Sequence, residues 1–197
     1  MKHRNSFGMY DRSGFTLIEL LLVVAIGLIV ATTAVPAITT TIANVRMRAS
    51  MSSLSGMLQS ARMLAVKQNR TKTARFTVQR DGLIVFAKDA SNGGGVTTTD
   101  PQVQLEAPIT KLTSPTGAGA PTALTSTFLG YTASTSNPSF NSRGLPCLYA
   151  GGACPNRGFV YYFKDTRRSG SEGWTAITIS PAGRITKWFW NGSIWGN

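Results

Sequence analysis

One apolar run constrains this chain more than any other feature. Residues 15–38 read FTLIELLLVVAIGLIVATTAVPAI and hold a single charged side chain, Glu19. The stretch 20–31 has no polar side chain at all. A helix rises about 1.5 Å per residue, so about 20 such residues cross a bilayer core. The run is therefore expected to span a membrane as a helix. A polar leader, residues 1–14, precedes it and carries Lys2, Arg4 and Arg12. Basic residues ahead of a span keep the N-terminus cytoplasmic, so the rest of the chain is expected in the periplasm. An ordinary secretory signal has a shorter apolar core followed by a small-residue cleavage site. Here the small residue, Gly14, comes first, and cleavage there would discard the leader and keep the apolar helix. A carboxylate within a bilayer is costly, so Glu19 is a functional candidate. Pro36 removes a backbone donor and is expected to kink or loosen the helix.

The remaining composition excludes several classes of chemistry. His3 is the one histidine and precedes Gly14. A chain cut at Gly14 would have no catalytic triad, no Cys-His dyad and no imidazole metal ligand. Acids are scarce, which argues against a paired-carboxylate site. There is no P-loop and no Gly-x-Gly-x-x-Gly, and no catalytic residue, metal site or cofactor is expected. Cys147 and Cys154 are too few for a four-ligand zinc site and do not match Cys-x-x-Cys. A local disulfide in an oxidising compartment is the better reading, with two unpaired thiols as the alternative. The net charge of +12 favours anionic partners without choosing among them.

Beyond Pro36 the helix is expected to continue to about Asn69. Met47, Met51, Leu54, Leu58, Ala61 and Ala65 recur at spacings of three and four, one apolar stripe for packing against a head. No acid occurs between Glu19 and Asp81, while Arg46, Arg48, Arg62, Lys67, Arg70, Lys72, Arg75 and Arg80 all fall there. A solvated face explains that interval; contact with anionic lipid headgroups near its start is a second reading. Strands are expected at 74–78 and 83–86 around a turn at Asp81 and Gly82, and at 103–105 and 109–112. Residues 91–95 read as a loop, and 113–139 as loops with short strands. Aromatic and β-branched residues predict strands at 159–163, 175–179 and 184–190, with a turn at 180–183 between the last two. The fold class is α+β: a long N-terminal helix packed on a mostly antiparallel β head. The divisions are a leader 1–14, a membrane helix 15–38, an amphipathic helix 39–69 and a head 70–197.

The string from Gly14 through Phe15, Thr16, Leu17, Ile18 and Glu19 to Leu20 resembles the processing signal of type IV prepilins and type II secretion pseudopilins. The resemblance implies the pilin fold and a peptidase cut between Gly14 and Phe15, with methylation of the new N-terminal Phe15. It also makes Glu19 the acid that guides subunits into a filament. Three later stretches are similar to the minor pseudopilins of the GspH and FimT kind. They are Ser60-Ala61-Arg62-Met63-Leu64-Ala65-Val66, Phe140-Asn141-Ser142-Arg143-Gly144, and Ile179-Ser180-Pro181-Ala182-Gly183-Arg184-Ile185. Implied partners are other pilin or pseudopilin subunits, the prepilin peptidase and the inner membrane. The implied role is a structural subunit of a type IV pilus or type II secretion pseudopilus, at its priming or tip complex.

The alternative implied by the FimT resemblance is DNA capture in natural transformation. A Gly-Arg-x-Arg element there corresponds to Gly183, Arg184, Ile185 and Thr186, followed by Lys187; the second Arg is missing. On a regular strand Lys187 faces away from Arg184 and Thr186. Arg143, Arg157, Lys164, Arg167 and Arg168 are further cations for such a patch. Trp188, Trp190 and Trp195 offer rings for base stacking or for core packing.

Overall fold

The computed structural model describes residues 14–106 and 108–197, with the side chains of residues 33–37 and 106 left aside. The leader cations Lys2, Arg4 and Arg12, His3 and the Pro36 side chain on which the kink expectation rests lie outside the described residues. The chain divides into two compact units, Met1–Ala43 and Asn44–Asn197. Helix α1, Leu17–Lys67, begins in the first and ends in the second.

In the first unit every large apolar side chain described between residues 15 and 30 is exposed. A helix apolar on all sides needs lipid or other protein around it. No helix, among the described residues, is long and apolar enough to cross a membrane. The described side chains of the run are those of residues 15–32 and Ile38, the last of which is exposed as well. The span expected over 15–38 is thus not established by the fold itself.

In the second unit all six residues of the helical stripe, from Met47 to Ala65, are buried, and Met57 joins them. Fully burying side chains such as Met51, Leu54 and Leu58 is worth about 1.5–3 kcal/mol each. The helix stops where sequence predicts, and the reason is local. Asn69 adopts a left-handed φ of 50°. Its N–H donates to Val66 O and that of Arg70 to Ala65 O, at 3.2 and 3.1 Å. This satisfies carbonyls that the helix end would leave open.

Two sheets follow. The first comprises β1 Lys72–Gln79, β2 Gly82–Asp89, β3 Gln102–Glu106, β6 Ser139–Phe140 and β7 Pro146–Cys147, in the order β3-β2-β1-β6-β7. The second comprises β4 Ile109–Leu112, β8 Gly158–Asp165, β9 Trp174–Ile179, β10 Ile185–Trp190 and β11 Trp195–Gly196, in the order β11-β10-β9-β8-β4. A short strand β5, Ala133–Ser134, pairs with β8 in parallel; the other pairings are antiparallel. The helical stripe packs with Val85, Phe140, Phe159, Tyr161, Ile177 and Ile179 in one core. Strand alternation sends Val160, Tyr162, Trp174 and Ala176 to a second core with Leu124 and Trp195.

The stretch 113–139 differs from the expectation. It contains a helical turn, α2 Ser126–Leu129, where loops and short strands were expected. Thr125 caps it by accepting from Phe128 N, and Gly130 ends it in the left-handed region. The stretch is a lid on the second core: Leu124 N donates to the Tyr162 hydroxyl at 2.8 Å, and Trp195 Nε1 to Thr122 O at 2.8 Å. The β1–β2 turn also falls one residue earlier than expected. Gln79 pairs with Gly82, so Arg80 and Asp81 form the loop.

Cys147 and Cys154 form a disulfide. Ala150 and Ala153 pair across Gly151 and Gly152, whose φ values of 56° and 90° suit a tight hairpin turn that only glycine enters cheaply. Closing so short a loop is expected to stabilise the head by about 2–3 kcal/mol. Denaturant unfolding of Cys147→Ser/Cys154→Ser against the parent should show a loss of that size.

Candidate functional site

The first candidate site is the start of α1. Gly14 is exposed, and a Cβ built on it meets nothing within 4 Å. Its φ is not in the left-handed region either. Among the described residues, then, nothing requires glycine at this position. Phe15 is 80 % exposed. Thr16 opens the helix: its Oγ1 accepts from Glu19 N at 3.3 Å, and its carbonyl accepts from Leu20 N at 3.2 Å. Thr16-x-x-Glu19 is the sequence pattern of a capping box, and Glu19 lies in the first turn, where a carboxylate favours the helix dipole. Its side chain is exposed.

The second candidate is the basic part of the head. Arg62, on α1, brings together the three stretches that the sequence singled out separately. Its Nη1 donates to Gly183 O at 3.2 Å. A Cβ on Gly183 would lie 3.1 Å from the guanidinium carbon, and one on Gly144 would lie 3.2 Å from Arg62 Nε and 3.0 Å from Val66 Cγ2. Both glycines have positive φ, 85° and 75°. Glycine is required at each by backbone conformation and by the approach of Arg62. The residues beside them, Arg143 and Arg184, are exposed. Ser180 fixes the turn before Arg184: its N–H donates to Arg184 O at 2.9 Å, and its Oγ accepts from Arg184 N at 3.1 Å. Two of the proposed cations thus project from neighbouring loops held on one guanidinium. The composition showed Arg62 only as one cation among many; its spacing to the two glycines is a tertiary fact.

Lys187 pairs in register with Ile177, without a bulge. That places it on the strand face of Ile185 and Phe189, which pack on the first core. It still shares with Arg184 a shallow groove of about 430 Å³ along β10 that Asn197 closes. Arg167 and Arg168 are not brought to this end. They lie in the β8–β9 loop, at the opposite end of β9 from Ser180, and both are paired. Arg167 binds Asp165 through two nitrogens, at 3.0 and 3.1 Å. Burial pushes the Asp165 carboxyl up, and the hydrogen bonds and charge of Arg167 more than offset this, so it lies below the usual carboxylate range. Arg168 holds Glu172 at 2.8 Å and donates to Asn44 Oδ1. The tryptophans serve packing. Trp195 is buried, and half-buried Trp188 donates to Thr178 Oγ1 at 2.9 Å. Among the described residues no group of His, Cys, Asp and Glu is arranged to hold a metal ion.

Residues 9–35 match the family model of the prokaryotic N-terminal methylation motif. The match covers the leader end, Gly14, Phe15, Glu19 and most of the apolar run. No curated protein and no solved structure matches the chain. The motif supports a type IV pilin-like, prepilin-type protein, and the fold is consistent with one: α+β, with an N-terminal helix packed on an antiparallel β domain. Such a motif implies processing by a prepilin peptidase and assembly with other pilin subunits.

Proposed function

We propose that the chain is a minor pilin or pseudopilin of the GspH/FimT kind, inserted in the inner membrane through residues 15–38 and assembled at the priming or tip complex of a filament. Cleavage falls between Gly14 and Phe15, Phe15 is methylated, and Glu19 pairs with the new amine of a neighbouring subunit. The head, residues 70–197, lies in the periplasm. The carrying observation is that nothing among the described residues demands a glycine at 14, although Gly14 lies within the matched methylation motif, residues 9–35. The demand then comes from an enzyme subsite with no room for a side chain. Gly14→Leu is expected to accumulate as the uncut precursor, with mature product reduced to about a hundredth or less, a loss of roughly 2.7 kcal/mol in transition-state binding. Immunoblotting cells that express the peptidase reads this directly, and normal processing of the variant would remove Gly14 from the mechanism.

A second reading, DNA capture, is favoured by one observation: Arg143 and Arg184 stand exposed beside two glycines that both pack on Arg62. Phosphate contacts weaken with salt by a log–log slope of about −0.9 each. For the full chain in detergent, titrated with duplex DNA, Arg184→Gln should weaken binding and flatten that slope by about one contact. Absence of salt-sensitive binding, or an unchanged variant, leaves the structural reading alone.

A further inference from the structure

Two Asn-Gly pairs occur in the chain, Asn92-Gly93 and Asn191-Gly192, and the fold holds them differently. Asn92 opens the glycine-rich stretch between β2 and β3, and it is exposed, as are Gly93, Gly94 and Gly95. Its N–H donates to Asp89 O at 2.9 Å. Its Oδ1 accepts from Gly94 N at 3.0 Å, the hydrogen bond of an Asx turn. A Cβ built on Gly93 meets nothing within 4 Å, and the φ there lies outside the left-handed region. Among the described residues nothing accepts from the Gly93 N–H. No strand resumes before Gln102. Two cations border the stretch: Arg75 Nη1 donates to Gly94 O at 3.3 Å, and Lys88 Nζ to Gly95 O at 2.8 Å. Lys88 also pairs with Asp100 at 3.6 Å. A Cβ built on Gly94 would lie 3.2 Å from Asn92 Oδ1 and 3.3 Å from Lys88 Nζ, so amide oxygen and ammonium border the same small space. Asn191 is exposed too, but its turn is closed by the pairing of Trp190 with Trp195. Its Oδ1 accepts from both Ser193 N and Ile194 N, at 2.9 Å each.

We propose that Asn92 is a self-modification site, at which the folded chain deamidates through a cyclic imide. The Gly93 nitrogen gives its proton to hydroxide and bonds to Asn92 Cγ. The Cγ–Nδ2 bond breaks, and Nδ2 takes a proton from water and leaves as ammonia. Water then adds to either carbonyl of the ring and opens it, leaving aspartate or its isomer linked through the side chain. Water is the one co-reactant, and nothing is oxidised or reduced. The step needs the Gly93 nitrogen to approach Cγ across the plane of the side-chain amide. A side chain at 93 would crowd the ring, and glycine has none. At Asn191 two hydrogen bonds fix the amide and paired strands fix the backbone on both sides. At Asn92 a single hydrogen bond holds the oxygen and the glycines beyond it are unpaired, so the approach opens little structure. The Lys88 ammonium also favours the negative charge that builds on Oδ1 during attack. The product carboxylate stands beside Lys88 and lowers the net charge of +12 by one. It gives the glycine-rich stretch a counter-ion for that lysine where the parent offers an amide.

The test is peptide mapping by mass spectrometry of the full chain, folded in detergent and aged at neutral pH in heavy-oxygen water. Residue 92 is expected to become a carboxylate carrying one heavy oxygen, about tenfold or more faster than residue 191. The same chain unfolded in urea should convert both residues at comparable rates, since each is then an Asn-Gly pair in open chain. Gly93→Ala, which the open space and the φ at 93 accommodate, should slow conversion at 92 by about tenfold or more and leave 191 unchanged. Equal rates at the two sites in the folded chain, an Asn92 that keeps its amide, or product without heavy oxygen overturns the proposal. So does a Gly93→Ala chain that converts at the parent rate, because the ring is then not the route. A preference for 92 that persists in urea would belong to the sequence and overturn the assignment to the fold.

Discussion

Replacing Glu19 by alanine is expected to leave membrane insertion intact and to cut filament incorporation by an order of magnitude or more. Removing a carboxylate from an apolar helix makes insertion easier, by up to about 3 kcal/mol for a central position and less near the interface. Assembly loses the attraction between Glu19 and the Phe15 amine of the next subunit, and charge-assisted hydrogen bonds are worth about 1.5–3 kcal/mol, roughly 10- to 150-fold. The pattern at Thr16 suggests a competing role: the Thr16 hydroxyl accepts from the Glu19 backbone N–H, and Glu19 stands at the capping-box position for an acidic side chain. Glu19→Gln separates the two, since glutamine keeps the capping pattern and loses the charge. Both variants should fail to assemble when membrane and filament fractions are quantified. If Glu19→Gln assembles normally, the acid serves the helix end and the intersubunit pairing is wrong.

Leu58→Ala is expected to destabilise the head by about 2–5 kcal/mol, the range for emptying a fully packed leucine site. Leu58 is wholly buried on α1 and shares a core with strands of both sheets. A cavity there would loosen the helix from the head. Thermal unfolding followed by circular dichroism should show a lowered midpoint. Gln59→Ala, one residue on and exposed, should change it little.

The parts of the fold legible in sequence are those set by local periodicity. The stripe from Met47 to Ala65 needs only a 3.6-residue period, and the aromatic alternation of β8 and β9 needs only a period of two. Residues 113–139 were opaque because their structure is set by what they cover. Leu124 is buried and Ala120 half-buried by packing on the second core rather than by any repeat of their own. At the candidate sites, Gly14, Phe15 and Glu19 form one contiguous string and can be read directly. Arg143 and Arg184 could be named from their flanking glycines, but the approach of Gly144 and Gly183 to Arg62 joins positions far apart in sequence. Arg167 and Arg168 were grouped with them by charge alone. Strand direction, which composition does not carry, puts them at the other end of β9 and in ion pairs.

The central claim is that this is a prepilin, and intact-mass analysis with N-terminal sequencing of the membrane-fraction protein tests it most directly. Mature chain beginning at Phe15, about 14 Da heavier than the unmodified peptide for one methyl group, is the expected result. The bond expected to be cut, between Gly14 and Phe15, lies in the exposed stretch leading into α1. A chain that still begins at Met1 in cells containing an active prepilin peptidase, or one that begins after Ala34 as a conventional secretory cleavage would leave it, contradicts the account.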